Sequence, residues 1–416
     1  MTVAAVQHLA GERLGTGQKV LILDGTERAG LAVARALVAA GYEVHVAAPR
    51  RLSLAGVSRG VHACSLETDP LDDPARYAAE VGRLVRTREI QVLLPLTDAS
   101  VEAVLEYRAS FPPDLAVPLP DLATYRRASD KLEMLELARA SGFAVPETVV
   151  ARSAAEGDVL AATMSFPAAV KPHRSVVSAG GGRARHKTGV TMVADTAAMR
   201  AALAALPPAA FPVLLQRRIH GPGEGLFLLR WDGQTRARFA HRRLREKPPA
   251  GGVSVYRESI APPPDLVRAG ERLLEALDWR GVAMIECKRD ETTGRHVLME
   301  INGRFWGSLQ LAIDAGVDFP ALLVACALGH TPPPADGRPY QIGIRSRWLW
   351  GDVDHLYLRL RRSSSALQLS GGAGSRVRAL LEFLAFRPGR DRSEVWRWRD
   401  PAPFLLETLQ RVGLLR

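Results

Sequence analysis

Cysteine is scarce in this sequence: three residues in 416, Cys64, Cys287 and Cys326, far apart and set in apolar text. The number is odd and the spacing fits no zinc-ligand pattern. A disulfide framework is therefore excluded, and buried free thiols in a reducing cytosol are expected. Long apolar runs are also missing. None reaches the roughly 20 residues that cross a bilayer, so no membrane span is expected. The opening residues, MTVAAVQHLAGERLGTGQ, lack a basic start, a long apolar core and a cleavage site, so they do not read as a secretory signal. Residues 1–17 are expected to be a loose lead-in, and the protein to be cytoplasmic. Lysine is absent from residues 341–416, which carry 14 Arg against seven acidic residues. Those arginines are spread through apolar helical text such as LYLRLRR and SRVRALLEFLAFRPGR. They do not form the compact run that marks a nucleic-acid binder. The net charge of +11 is instead suited to holding anionic small molecules, and nucleic acid is not an expected partner.

An apolar fraction of 47% with scattered Gly and Pro places the chain among globular, mixed α/β proteins. Its length allows two or three units with substantial cores. KVLILDG (19–25), YEVHVAAP (42–49) and IQVLLPLTD (90–98) read as strands, alternating with helices near 28–40 and 76–87. Such alternation predicts a small parallel sheet. The loop Asp24–Gly30 after the first strand lacks the full glycine spacing of a dinucleotide fingerprint and is expected to be a tight strand-to-helix turn. Asp130–Gly142 reads as a helix; FPAAVKP (166–172), TGVTMV (188–193) and FPVLLQRRI (211–219) read as strands. SSSALQLSGGAGS (363–375) has the composition of a surface linker. LLEFLAF (380–386) is apolar enough either for an interface, including that of a homo-oligomer, or for the interior.

The densest chemical signal lies in residues 281–320. Two short strands flank the turn DETTGR (290–295). Ala283, Ile285 and Cys287 alternate with Met284, Glu286 and Lys288; Val297, Met299 and Ile301 alternate with Leu298, Glu300 and Asn302. A hairpin symmetric about residue 293 sets Glu286 across from Glu300. Facing carboxylates repel. A divalent cation removes that repulsion, with Asn302 adding a neutral oxygen ligand, as Mg²⁺ sites shared with phosphates do. The other possibility is a solvated polar face. Upstream, Ser178–Arg183 is glycine-rich and lies between strands. Its backbone N–H groups could wrap phosphate oxygens, or the loop could be a plain hairpin tip. Arg183, Arg185 and Lys187 add positive charge there.

The order of these features resembles the ATP-grasp superfamily, particularly its carboxylate–amine ligases and the carbamoyl-phosphate-synthase-like and biotin-carboxylase-like enzymes. The resemblance rests on Asp130-Lys131 opening a helix, strand Lys171, the glycine loop, the Gln216 hinge, and Glu286 … Glu300-x-Asn302-x-Arg304. It covers roughly residues 18 to 330. The fold it implies is α/β: a Rossmann-like pre-ATP-grasp domain (18–120), then an ATP-grasp domain (121–335) whose two α+β lobes, about 150–215 and 216–335, clasp ATP. A helical, Arg-rich C-terminal extension (336–416) follows. Also implied are ATP and Mg²⁺ as cofactors, with Mn²⁺ able to substitute. Lys131 and Lys171 would contact phosphates, and Ser178, Gly180, Gly181 and Gly182 would close over them. Gln216 and Ile219 would meet the adenine and Glu224 the ribose. Gln216 departs from the glutamate of many relatives. Glu286, Glu300 and Asn302 would hold Mg²⁺, and Arg304 and Lys288 would be the catalytic cations. Arg243, Arg245 and Arg257, in the basic connection 241–259, would fork onto a substrate carboxylate, while Glu246 could receive an amine. Trp348, Trp350, Trp396 and Trp398 are expected to pack the extension onto the body.

The implied activity is ligation of a small carboxylate, such as an amino acid or peptide, to an amine through an acyl phosphate, releasing ADP and phosphate. A kinase of the same fold, a bicarbonate-using carboxylase component (no biotinyl domain is visible in this chain) and a non-catalytic basic nucleotide- or nucleic-acid-binding protein remain alternatives.

Overall fold

The computed structural model describes residues 17–174, 176–178, 185–187, 189–335, 339–364, 367, 369 and 374–415. Three sheets and a short hairpin organise them. The first sheet is parallel, in the order β3-β2-β1-β4. Its elements run β1 (Lys19–Ile22), α1 (Arg28–Ala39), β2 (Glu43–Ala48), β3 (Val61–Ser65), α2 (Pro74–Arg88), β4 (Val92–Leu94) and α3 (Asp98–Glu106). Apart from Lys19, Glu43 and His45, the central strands β1 and β2 are apolar, as suits a sheet covered by helices on both faces. Val20, Ile22 and Val44 pack towards α1, while Leu21, Leu23 and Leu93 pack towards α2. Strand β3, VHACS, buries only Cys64 and has no apolar run to mark it in the sequence.

The Asp24–Gly30 loop is the expected tight turn. Asp24 has a left-handed φ of 59°. Its half-buried carboxylate accepts hydrogen bonds from the Leu96 and Thr97 amides (2.9 and 3.0 Å) and the Ser100 hydroxyl (2.5 Å). A Cβ on Gly25 would lie 2.4 Å from Val46 Cγ1, so only glycine fits there. The turn is thus stitched to the β4–α3 junction.

Two helices follow, α4 (Leu122–Ser129) and α5 (Lys131–Ser141). The Asp130 carboxylate caps α5 through the Leu132 and Glu133 amides, and Gly142 closes it with φ of 99°. The second sheet comprises β5 (Thr148–Ala151), β6 (Ala168–Pro172), β9 (Thr191–Val193) and β10 (Val213–Arg217), in the order β5-β10-β6-β9. Helices α6 (Ala154–Ala161) and α7 (Thr196–Ala204) cover one face over a small core of Val170, Met199, Leu203 and Leu215. Between β6 and β9 stands the hairpin β7 (Val176–Ser178) with β8 (Arg185–Lys187), in which Ser178 pairs with Arg185. Gly180, Gly181, Gly182 and Arg183 lie outside the described residues.

The third sheet has seven strands in the order β15-β14-β11-β12-β13-β16-β17. They are β11 (Gly223–Trp231), β12 (Gln234–Lys247), β13 (Val253–Ser259), β14 (Gly281–Arg289), β15 (His296–Asn302), β16 (Arg345–Arg347) and β17 (Asp391–Ser393). Helices α8 (Pro264–Ala276), α9 (Leu309–Ala315), α10 (Phe319–Ala327), α11 (Leu349–Arg361), α12 (Arg376–Leu384) and α13 (Ala402–Arg411) surround it. The stretch 241–259 is the end of β12, a turn and the whole of β13, the two strands pairing antiparallel. Arg243 pairs directly with Arg257, and bulges at Arg243/Arg245 and Arg245/Glu246 break the alternation of the arginines on β12. Residues beyond 336 supply two sheet strands as well as helices. One core joins the first and third sheets, from Val20 and Ile22 through Phe227 and Trp306 to Val395.

The three cysteines are buried and free. Among the described residues no single helix is long and apolar enough to cross a membrane. Trp348 lies under Arg28 of α1 and so joins the extension to the body, whereas its bond to Glu407 (2.7 Å), that of Trp350 to Thr408 (3.1 Å) and the packing of Trp396 on Phe404 are contacts within the extension. Trp398, by contrast, stands in solvent.

Candidate active site

A cleft of about 870 Å³ opens between the second and third sheets. Its floor is the β14–β15 hairpin, where Glu286 pairs with Glu300 and Met284 with Asn302. The facing carboxylates expected from the sequence are therefore present. The alternation on β15 differs from expectation. A bulge after Glu286 leaves Cys287 opposite Leu298, so Met299 is the extra residue. Leu298 and Ile301, three positions apart, both enter the core with Ile285 and Cys287. Met299, Glu300 and Asn302 all line the cleft. The bulge thus adds Met299 to Glu300 and Asn302 on the cleft side and leaves Leu298 in the core.

Positive charge converges on this pair. Lys171 of β6, Lys131 at the start of α5 and Lys288 of β14 all line the cleft. Burial pushes the Lys171 ammonium below its ordinary value, opposed by Glu300 and Glu286 and reinforced by Lys131 and Lys288. Burial lowers Lys288 in the same way. Burial raises the Glu286 carboxyl, with Glu300 adding to the rise and Arg243 opposing it. Arg243 bonds Glu286 through Nη2 and Glu246 through Nη1 (2.9 Å). Arg304 is held bidentately by Asp98, at 2.9 and 3.0 Å, and donates to the Asn302 side-chain oxygen at 3.2 Å. Asn302 in turn donates to Glu300 at 3.2 Å.

These residues fit a hard divalent cation. Two carboxylates and an amide oxygen share one face, and no set of three or more His, Cys, Asp or Glu able to hold a metal occurs among the described residues. A partial oxygen set of this kind suits Mg²⁺, which keeps water and borrows phosphate oxygens rather than filling a protein cage.

Gln216 and Ile219 are buried on the cleft wall, and Gln216 donates to Thr148 Oγ1 at 3.0 Å. Three expectations fail. Glu224 pairs with Cys287 and Arg242 in the register, so it lies on the face opposite Glu286; it is buried and bonded to His296 Nε2 at 2.9 Å. It cannot meet a ribose in the cleft. Arg245 lies outside the cleft, clamped by both oxygens of fully buried Asp352 at 2.6 Å and stacked on Tyr256. Arg257 is wholly buried and bonded to Glu394, Ser254 and Ser346. Of the three arginines expected to take substrate, only Arg243 reaches the cleft, and it does so bound to Glu286.

Two participants escaped the sequence. Asp98, which holds Arg304, belongs to the first sheet's unit. Its signal was a polar residue just beyond the C-terminal end of a parallel strand, where such folds place ligand-binding groups. Arg28 lines the far wall, held by Glu394 at 2.7 and 2.8 Å and lying 3.9 Å over the Trp348 ring. Its partners are hundreds of residues distant, so nothing local marks it.

The Glu224–His296 pair makes a prediction about stability. The hydrogen bond to Glu224 holds the imidazole above its ordinary 6.5, against the opposing effect of burial, and Asp265 assists from 3.3 Å. A raised folded-state value means that the stabilisation is complete below 6.5 and fades as pH rises through the raised value. Urea unfolding should show His296→Gln about 1.5 kcal/mol less stable than the native protein in mild acid, with the gap closing in alkali. A gap independent of pH would contradict the assignment.

Residues 212–350 match the family described as ATP-grasp in the biosynthetic pathway with Ter operon. Among solved structures, L-amino acid ligase from Bacillus licheniformis is similar at 15% identity with a TM-score of 0.58, over 75% of this chain and 74% of that one. Biotin carboxylase from Campylobacter jejuni, solved as a βγ-ATP complex, gives 13% identity and 0.61, over 79% and 74%. N5-carboxyaminoimidazole synthetase from Staphylococcus aureus, complexed with ADP, gives 14% and 0.60, over 80% and 82%. No curated protein matches the chain by sequence. The fold is that of the ATP-grasp superfamily.

Proposed function

We propose that this chain is a Mg²⁺-ATP-dependent ligase that activates a small carboxylate as an acyl phosphate and passes the acyl group to an amine. The observation that carries this reading is the facing pair Glu286 and Glu300, with Asn302 and Arg304, in one cleft with Lys131, Lys171 and Lys288. Bringing a carboxylate to a triphosphate joins two anions, so a site for this reaction needs cations on both sides of the transferred phosphoryl group. The two carboxylates and Asn302 would hold Mg²⁺, which supplies neutralisation of phosphate charge when bound. Lys131 and Lys171 reach the cleft from the second sheet's side and suit the phosphates; Gln216 and Ile219 suit the purine. Arg304, fixed by Asp98, is placed to steady the transferred group.

In the first step a carboxylate oxygen of the substrate attacks the terminal phosphorus, and the bond to ADP breaks. In the second, the amine nitrogen attacks the acyl carbon, phosphate leaves with the bonding pair, and the amine gives up a proton. Arg243 and Glu246, side by side on β12, are suited to the substrates' charged ends.

The test is ADP release with Mg²⁺-ATP across a matrix of carboxylic acids and amines. A signal that needs one member of each class is expected. A signal that needs a single compound would replace this reading with a kinase.

A further inference from the structure

Helix α12 presents an apolar face that nothing in the catalytic account uses. Val377, Leu380, Leu381 and Leu384 follow the i, i+3, i+4, i+7 spacing of one helical stripe, and Phe386 follows just beyond. All five are between 41 and 67% exposed. The helix does not lack a packed side. Ala379 is buried, Phe383 lies under the Arg347 guanidinium at 4.1 Å, and the Glu382 carbonyl accepts from Arg245 at 3.2 Å. The inner face is thus fastened to the body while the leucines point outward.

The charges around this stripe decide what it can meet. Residues 376–390 hold Arg376, Arg378, Arg387 and Arg390 against a single acid, Glu382, and all five are exposed. Glu382 is itself paired with Arg378 at 2.8 Å. Arg361 and Arg362, exposed at the end of α11, add to the same sign. A second copy of this chain would bring an equally basic face against it, and like charges would oppose the contact. A surface that is both apolar and anionic is complementary. Guanidinium groups fork onto phosphate oxygens, and aliphatic and aromatic side chains enter the acyl boundary.

We propose that α12 docks on an anionic membrane surface, lying in the interface plane with Val377, Leu380, Leu381, Leu384 and Phe386 immersed and the flanking arginines on lipid phosphates. The attachment is peripheral and does not depend on the proposed ligase chemistry.

Vesicle flotation of the full chain tests it. The native protein should float with phosphatidylcholine vesicles containing about a quarter phosphatidylglycerol, not with phosphatidylcholine alone, and raised salt should release it. Leu381→Glu combined with Leu384→Glu should lower the partition at least about tenfold. It should leave thermal unfolding unchanged, since both side chains are exposed. Arg387→Gln should lower it about fivefold. No flotation with anionic vesicles, or flotation that the double glutamate variant leaves intact, would overturn the proposal. So would a dimer in light scattering that the same variant splits into monomers, since the face would then belong to a second copy.

Discussion

Glu300→Gln should abolish turnover, lowering the rate by at least about 1,000-fold, while the protein stays folded. The amide keeps the size and one oxygen of the carboxylate but removes the charge that balances a cation across from Glu286. It also relieves the repulsion between the two carboxylates, so thermal unfolding should be unchanged or slightly raised. That combination separates a metal-holding role from a structural one. A residue that served packing would lose stability and activity together, whereas Glu300 should lose activity alone. Steady-state ADP release and a melting curve on the same preparation check both halves. Native-level ADP production by this variant would remove Glu300 from the site.

The largest effect on stability is expected at Asp352, far from that chemistry. Its carboxylate is fully buried and binds Arg245 through both oxygens and Arg347 through one, each at 2.6 Å. Asp352→Ala leaves two guanidinium groups in partial burial with no counter-charge, which should cost about 3–5 kcal/mol in denaturant unfolding. Replacing Arg245 by Met in the same chain should recover part of that loss, because one stranded charge is removed with its partner. A change of less than about 0.5 kcal/mol would show that the cluster is not buried in solution. The same result would reopen Arg245 to the cleft, so the measurement also bears on which arginines face substrate.

The facing carboxylates could be read from the sequence because a hairpin turn and period-two alternation are local. The turn at 290–295 brings the two strands together, but its register, with Lys288 opposite Val297 and Cys287 opposite Leu298, would set Glu286 against Met299; the bulge at Met299 is what brings Glu286 opposite Glu300. Lys131 was equally accessible, since Asp130 is a helix cap with a local partner. The face of Glu224 could not be predicted in this way. It depends on which strand lies beside β11 and on the partner His296, 72 residues away. The arginines at 243, 245 and 257 shared one motif and met three fates. Bulges in β12 broke the alternation, and the acids that claim them, Glu286, Asp352 and Glu394, arrive from three other parts of the chain. Two of those acids sit in the extension beyond 336. There the apolar text at 380–386 fitted an interface or the interior equally, and the structure buries Ala379 and leaves Leu381 in solvent. Composition specifies that a helix has an apolar stripe; only the packing of its opposite side shows whether that stripe is covered.

The central claim is that Glu286 and Glu300 form the metal–nucleotide centre of an ATP-grasp cleft. Electron paramagnetic resonance of Mn²⁺, titrated into the protein with a non-hydrolysable ATP analogue, tests it most directly. The native protein should sequester Mn²⁺ only when the nucleotide is present, and Glu286→Gln and Glu300→Gln should each leave the ion free. Sequestration by either variant at native strength would place the metal, and the chemistry with it, elsewhere.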